Sequence, residues 1–153
     1  MATLTIVIGL PGSGKSYFLD RLVNNGTLPE ERTCADYFRG SKDNILEVPR
    51  SPFFEPMISS LKRELDCAIA DISFCEVRHL RALVATVLAE VPTVTIKRIY
   101  FRNDLDACRR NVWGSANEAA RLAEIERLSH VYVIPSGEEA REVFKKPLGL
   151  PTR

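Results

Sequence analysis

A glycine-rich segment near the N-terminus has the residue types that are needed to bind phosphate. Gly9, Gly14, Lys15 and Ser16 satisfy the pattern G-x-x-x-x-G-K-[ST]. The glycines let the backbone present successive N–H groups to an anion, the lysine supplies positive charge, and the serine hydroxyl is a ligand for Mg²⁺. The segment predicts nucleotide binding by the following residues: Gly9, Pro11, Gly12, Ser13, Gly14, Lys15, Ser16 and Tyr17.

The elements on either side of this segment support its interpretation. Residues 3–8 are an apolar, β-branched run, which is typical of a strand buried on both faces. Residues 15–25 have apolar side chains at helical spacing, and Asn25-Gly26 ends that pattern. Strand, glycine loop and helix therefore follow in the required order. Nothing resembles the Asn-Lys-x-Asp motif that reads guanine, so ATP is the expected nucleotide.

Two aspartates follow other apolar segments. Asp71 comes directly after the run CAIA, where a carboxylate can hold Mg²⁺ directly or through water. The alternative is that Asp71 caps the helix that follows. Asp36, in CADYFRG, could orient a hydroxyl group or accept its proton, and Arg39 could bind a phosphate of the acceptor. The alternative for this pair is a turn aspartate beside a surface arginine.

A later segment, NDLDACRRNVWG, carries arginines after a predicted strand that ends at Phe101. A mobile helix with Arg109 and Arg110 could close over a γ-phosphate and neutralise charge that develops on it. The alternative is that both arginines are solvated charges on a helix face. Trp113 could stack on a base or pack against the core.

Strands alternate with helices along most of the chain. This alternation predicts an α/β layer fold with a mostly parallel sheet, in which ligands collect at the carboxyl ends of the strands. Residues 51–56 contain two prolines and are expected to be irregular, and the tail from His130 is expected to hold a short strand and a short helix. The further strands are expected near residues 33–38, 65–72 and 93–101, and the further helices near 57–65, 77–88, 104–112 and 116–129.

The composition limits the class of protein. With 153 residues, the chain is expected to form one domain, residues 1–153. The net charge of +1 provides no general attraction to nucleic acid or to a membrane. The four cysteines form no C-x-x-C pair, which favours free thiols over a metal site. No apolar run reaches membrane-spanning length and no signal peptide is recognisable, so a cytoplasmic protein without a membrane partner is expected.

Four segments, in this order, resemble the kinase domain of polynucleotide 5′-hydroxyl kinases and related small ATP-dependent P-loop kinases. They are GLPGSGKS, CADYFRG, IADIS and DLDACRRN, and the resemblance extends to about residue 113. It implies a three-layer, adenylate-kinase-like P-loop NTPase fold. The implied sheet is mostly parallel with strand order 2-3-1-4, a fifth strand being left open. Residues 103–130 are the candidate for a helical lid.

The resemblance also implies an enzyme. The implied activity is an ATP- and Mg²⁺-dependent kinase that transfers the γ-phosphate to a hydroxyl acceptor, which is a nucleic-acid 5′ end, a nucleotide or a small metabolite. The near-neutral charge argues against long nucleic acids. The alternative is a nucleotide-binding or regulatory module with weak or no kinase activity. The implied roles are catalysis by Lys15, Asp36 and Arg110, acceptor binding by Arg39, and binding of Mg²⁺ by Ser16 and Asp71.

The chain departs from this family at three places. The family commonly has paired aspartates before the tyrosine, whereas this chain has Ala35-Asp36-Tyr37, and Asp36 keeps the role of general base when the alignment is made on Arg39. Asp-x-Asn is replaced by Asp71-Ile72-Ser73. A second lid arginine is replaced by Gly114, and the loss of one such cation can lower the rate by orders of magnitude.

Overall fold

Five parallel strands form one sheet in the computed structural model, which describes residues 1–38 and 51–145. The strand order is β2-β3-β1-β4-β5, so the predicted α/β class and the order 2-3-1-4 are confirmed, and a fifth strand extends the sheet beyond β4. The strands are β1 (Thr3–Ile8), β2 (Thr33–Cys34), β3 (Cys67–Ala70), β4 (Thr95–Phe101) and β5 (Ala140–Arg141).

Helices connect the strands, as expected for a parallel sheet. Each helix contains apolar residues at helical spacing. In the third helix, for example, Leu80, Leu83 and Val87 are buried. The five α-helices are α1 (Lys15–Asn24), α2 (Phe54–Lys62), α3 (Val77–Glu90), α4 (Leu105–Val112) and α5 (Glu118–Ser129), and short 3₁₀ helices cover Glu30–Arg32 and Ile72–Cys75.

The central strand, β1, lies between β3 and β4. Val7 is aligned with Ala70 of β3 and with Ile99 of β4, and its side chain is completely buried. All four residues of β3 are buried as well. Burial of these strands explains why their sequences are continuous apolar runs rather than alternating ones.

The start of α2 differs from the prediction. Residues 51–56 were expected to be irregular because of their two prolines, yet α2 begins at Phe54. Pro56 lies in the first turn, where backbone N–H groups have no acceptor within the helix, so the missing N–H of proline costs little. Phe54, Met57 and Leu61 then bury the apolar face of the helix.

The C-terminal segment also differs from the prediction. No helix forms within residues 131–145, the described part of the tail after α5, where a short helix was expected. Instead, β5 pairs with the end of β4 through Tyr100↔Ala140 and Phe101↔Arg141. The hydroxyl of Tyr132 donates a hydrogen bond to the carbonyl of Phe101, at the carboxyl end of β4. Pairing with the open edge of β4 therefore outweighs the local helical pattern.

None of the helices within residues 1–38 and 51–145 is long and apolar enough to span a lipid bilayer. All four cysteines lie in the described part of the chain and are free thiols, as predicted. Arg39, the predicted ligand of an acceptor phosphate, lies outside the described residues. The single-domain organisation of residues 1–153 stays a prediction.

Candidate functional site

Residues 9–16, here called the glycine loop, connect β1 to α1. Gly12 and Gly14 have φ angles of +81° and +107°, which residues other than glycine rarely adopt. A Cβ atom on Gly12 would lie 2.8 Å from the carbonyl oxygen of Cys108 and 2.9 Å from Cγ1 of Val112. The loop therefore packs directly on α4, and glycine is required there both for its conformation and for the close contact.

The end of the loop is also the start of α1. Gly14 is the N-cap of α1 and has no side chain that could occupy the first N–H groups of the helix. Ser16 is exposed, so its hydroxyl is accessible from the solvent. A helix terminus of this kind provides unpaired donors and partial positive charge to an anion.

Lys15 is buried at this terminus, with only 7% of its surface exposed. Its Nζ donates hydrogen bonds to the carbonyl oxygen of Leu10, at 2.7 Å, and to Oγ of Ser13, at 3.4 Å. Burial lowers the pKa of Lys15 to about 8, although the nearby Asp71 and Asp36 act in the opposite direction. The ammonium group is thus held beneath the loop by groups of the loop itself.

A cavity of about 900 Å³ opens at the glycine loop. It brings together residues of the loop, of the segment after β2, of the 3₁₀ helix after β3, of α4 and α5, and of the C-terminal segment. Its lining residues are Pro11, Gly12, Gly14, Lys15, Ser16, Tyr17, Ala35, Asp36, Ile72, Asn111, Ala120, Arg121, Glu124 and Phe144.

Asp36 lines this cavity and also a second one, of about 440 Å³. Its own side chain is exposed, whereas the next two residues, Tyr37 and Phe38, are buried. The N–H of Tyr37 donates to the carbonyl of Ala70, at 3.0 Å, and the N–H of Phe38 donates to Oδ1 of Asp71, at 3.1 Å. These bonds to the end of β3 hold the segment so that Asp36 lies where the two cavities meet.

Asp71 caps the 3₁₀ helix that follows β3, which is one of the two alternatives left open by the sequence. Its Oδ2 accepts a hydrogen bond of 2.8 Å from the N–H of Ser73, and its Oδ1 accepts the bond from Phe38. The residue is 7% exposed and does not line the cavity. Each carboxylate oxygen keeps a further lone pair, so a contact with Mg²⁺ through water stays a prediction.

The donors available for Mg²⁺ are few. No group of three or more His, Cys, Asp or Glu side chains within the described residues is arranged to hold a metal ion. The exposed hydroxyl of Ser16 in the cavity fits a single protein ligand, and Mg²⁺ commonly keeps several waters and takes its other ligands from phosphates. The site therefore fits Mg²⁺ that arrives with a nucleotide, and not a pre-formed protein cage.

The arginines of α4 and α5 differ in their relation to the cavity. Arg110 is not among the residues that line the cavity, and Arg109 is paired with Asp106 and Glu126. Arg121, on α5, does line the cavity. Within residues 1–38 and 51–145, no carboxylate forms an ion pair with Arg121.

Arg121 and Phe144 are cavity residues that the sequence did not single out. Arg121 is one of several charges in α5, and only its position relative to α4 and the loop separates it from Arg127, which is paired with Glu76 and Glu124. Phe144 lies in the C-terminal segment, where a short helix was expected and none forms within residues 131–145. The amide of Asn111, next to Arg110, was visible in the motif DLDACRRN, but its contact with the glycine loop was not.

Comparisons with known proteins add no assignment to this geometry. No family model matches the chain, and no curated protein matches it significantly.

Proposed function

We propose that this chain is an ATP- and Mg²⁺-dependent kinase that transfers the γ-phosphate to a hydroxyl acceptor. One observation carries the proposal: Lys15 and Asp36 line the same cavity, and Asp36 also borders a second cavity large enough for part of an acceptor. A phosphate-binding terminus on one side of a carboxylate and an open pocket on the other is the arrangement that phosphoryl transfer requires. The resemblance of four sequence motifs to small P-loop kinases supports the same conclusion.

The proposed mechanism assigns a role to each side chain. The glycine loop and Lys15 bind the β- and γ-phosphates, and Ser16 would hold Mg²⁺, which would supply positive charge to those phosphates. Asp36 accepts a hydrogen bond from the acceptor hydroxyl, orients its oxygen towards the γ-phosphorus and takes its proton as the new P–O bond forms. ADP leaves with the electrons of the broken P–O bond.

Arg121 supplies a positive charge to the cavity of the glycine loop in this mechanism. During transfer, negative charge builds up on the bridging oxygen that leaves with ADP, and a nearby arginine lowers the barrier by stabilising that charge and the charge spread over the γ-phosphoryl oxygens. Arg110 keeps its predicted role only if residues 103–130 move as a lid, since its side chain does not line the cavity. The adenylate-kinase-like P-loop fold and the lid are part of the proposal.

The second candidate is a nucleotide-binding or regulatory module without transfer. It is favoured by Gly114 in place of the second lid arginine and by the position of Arg110 outside the cavity. The proposed location for either candidate is the cytoplasm, supported by the four free thiols.

The test measures transfer of radiolabelled γ-phosphate to 5′-hydroxyl oligonucleotides, nucleosides and small polyols. We expect the wild-type protein to phosphorylate at least one of these classes. Asp36→Asn is expected to bind ATP normally and to lose transfer by about 100-fold or more, since general base catalysis contributes roughly 10²–10⁴ in rate. Asp20→Asn is the matched control, because Asp20 is an exposed carboxylate of α1 that lines neither cavity.

Other outcomes distinguish the candidates. A wild-type protein that binds ATP but is silent with every acceptor would overturn the kinase proposal in favour of the binding module. Release of phosphate that needs no acceptor and disappears in Lys15→Ala would indicate ATP hydrolysis instead.

A further inference from the structure

The C-terminal segment places an exposed aromatic ring in the cavity of the glycine loop. After β5, the side chain of Val143 is buried and anchors the segment, with 3% of its surface exposed. The next side chain, Phe144, lines the cavity and is 69% exposed. The ring is therefore accessible to a molecule that enters the cavity.

Asn111 connects the backbone of Phe144 to the backbone of the glycine loop. Its Nδ2 donates a hydrogen bond of 2.9 Å to the carbonyl oxygen of Gly12 and a second one to the carbonyl oxygen of Phe144. The two backbone segments are thus held within reach of a single side-chain amide. A molecule whose phosphates lie on the loop would therefore share one cavity with the Phe144 ring.

A second ring lines the same cavity. Tyr17 follows Ser16 directly, and its side chain is also 69% exposed. Phosphate groups are bound by N–H donors through hydrogen bonds and by lysine through charge attraction. Aromatic faces provide neither interaction. Flat heteroaromatic rings do gain from such faces, because every nucleobase can stack on an aromatic side chain.

We propose that Phe144, together with Tyr17, forms a stacking platform for the base of the nucleotide whose phosphates bind the glycine loop. Trp113, which the sequence offered as a stacking residue, does not line the cavity. The platform gives the C-terminal segment a role in nucleotide binding. This inference rests on the nucleotide-binding part of the proposed function and is independent of phosphoryl transfer.

The experiment compares ligands that share the phosphates and differ in the base. Binding of ATP and of inorganic tripolyphosphate, each with Mg²⁺, is measured by calorimetry for the wild type, Phe144→Ala, Phe144→Trp and Tyr17→Ala. We expect Phe144→Ala to weaken ATP by on the order of tenfold, the usual loss for one base–aromatic stack, and to leave tripolyphosphate unchanged. Tyr17→Ala is expected to show the same pattern as Phe144→Ala, with weaker binding of ATP and unchanged binding of tripolyphosphate. Phe144→Trp is expected to bind ATP as the wild type does, because tryptophan also offers an aromatic face.

Val133→Ala is the matched control, because Val133 lies in the same segment, is 78% exposed and does not line the cavity. If Phe144→Ala weakens the binding of ATP and of tripolyphosphate equally, or changes neither, the proposal of a stacking platform would be overturned. A wild type that binds tripolyphosphate but gains nothing from the base would overturn it while leaving the phosphate site intact. A wild type that binds neither ligand would overturn the proposed function itself.

Discussion

Lys15 combines two demands that conflict in the free protein. It must be charged to bind phosphate, yet burial disfavours its charged form more than the nearby carboxylates of Asp71 and Asp36 favour it. Burial raises the pKa of the neighbouring thiols Cys75 and Cys108 to about 12, so they are neutral and provide no counter-charge. The ammonium group donates its shorter hydrogen bond to the carbonyl oxygen of Leu10, at 2.7 Å. A phosphate that enters the loop supplies the missing negative charge.

The lowered pKa of Lys15 predicts a pH-dependent affinity for ATP. In the free protein the side chain loses its proton as the pH rises through about 8, so binding must then pay for reprotonation. We expect the affinity for ATP, measured by calorimetry, to fall by about tenfold between pH 7 and pH 9. Lys15→Arg is the control, because arginine stays charged throughout this range. An affinity that falls equally in Lys15→Arg would assign the effect to another group.

The same pKa shift makes the free energy of unfolding depend on pH. The folded value of about 8 lies below the ordinary value of 10.5, so between these two pH values the unfolded chain binds more protons than the folded one. The contribution of Lys15 to the free energy of unfolding therefore increases with pH across that window. Below pH 8 the buried charge destabilises the free protein.

At the scale of elements, the carboxyl end of β3 is organised by Asp71. Its two oxygens accept backbone hydrogen bonds from the 3₁₀ helix and from the segment that carries Asp36. One side chain therefore joins the ends of β2 and β3 at the cavity. These hydrogen bonds explain why Asp71 follows the buried strand β3, and the explanation requires no metal ion.

Asp71→Asn is expected to destabilise the protein in the absence of nucleotide and Mg²⁺. One of the two oxygens is replaced by an NH₂ group, which faces a backbone N–H, and we expect the free energy of unfolding in urea to fall by about 1–2 kcal/mol. Asp104→Asn is the matched control, since Asp104 caps α4 through one bond of 3.0 Å that asparagine can also accept. Unchanged stability with a loss of Mg²⁺-dependent ATP binding would favour the metal role.

The contact between the glycine loop and α4 can be tested in the same way. Gly12→Ala combines a positive φ angle with a close approach to Cys108 and Val112, so both the loop and α4 must shift. We expect a loss of about 2–4 kcal/mol in urea unfolding, together with weaker ATP binding. Gly26→Ala has nearly the same φ angle, +80°, but nothing lies within 4 Å of its Cβ, and we expect only about 1 kcal/mol. Equal losses would show that the packing contact contributes nothing.

At the scale of the whole molecule, the cavity is assembled from segments spread over most of the chain. Lys15 and Asp36 come from its first quarter, whereas Arg121 and Phe144 come from its last quarter. A ligand that fills the cavity must therefore stabilise both ends of the sequence together.

Addition of ATP and Mg²⁺ at about one hundred times the dissociation constant is expected to raise the melting temperature by roughly 5–10 °C. Hydrogen exchange should slow in the glycine loop, in the segment around Asp36, in α5 and near Phe144. Lys15→Ala should show neither effect. Protection confined to the glycine loop would contradict an assembled cavity.

The sheet was largely predictable, and the tail was not. Buried parallel strands leave continuous apolar runs, such as those of β1 and β3, and helices leave periodic ones, so their order could be read directly. A two-residue edge strand such as Ala140–Arg141 leaves no pattern of its own. Its strand conformation comes from hydrogen bonds with the backbone of β4, which lies about 40 residues away in the chain.

The amino-acid sequence alone was enough to predict the glycine loop, because its chemistry is local: glycine conformations, a lysine and a hydroxyl lie within eight consecutive residues. It also determined the class of fold, which depends on periodicity within each element. Three features came from the tertiary packing alone: Asp71 is a cap, Arg121 and not Arg110 lines the cavity, and Phe144 lines that cavity as well. These depend on how the helices and the tail pack across the end of the sheet, and nothing in the spacing of residues along one element specifies that packing.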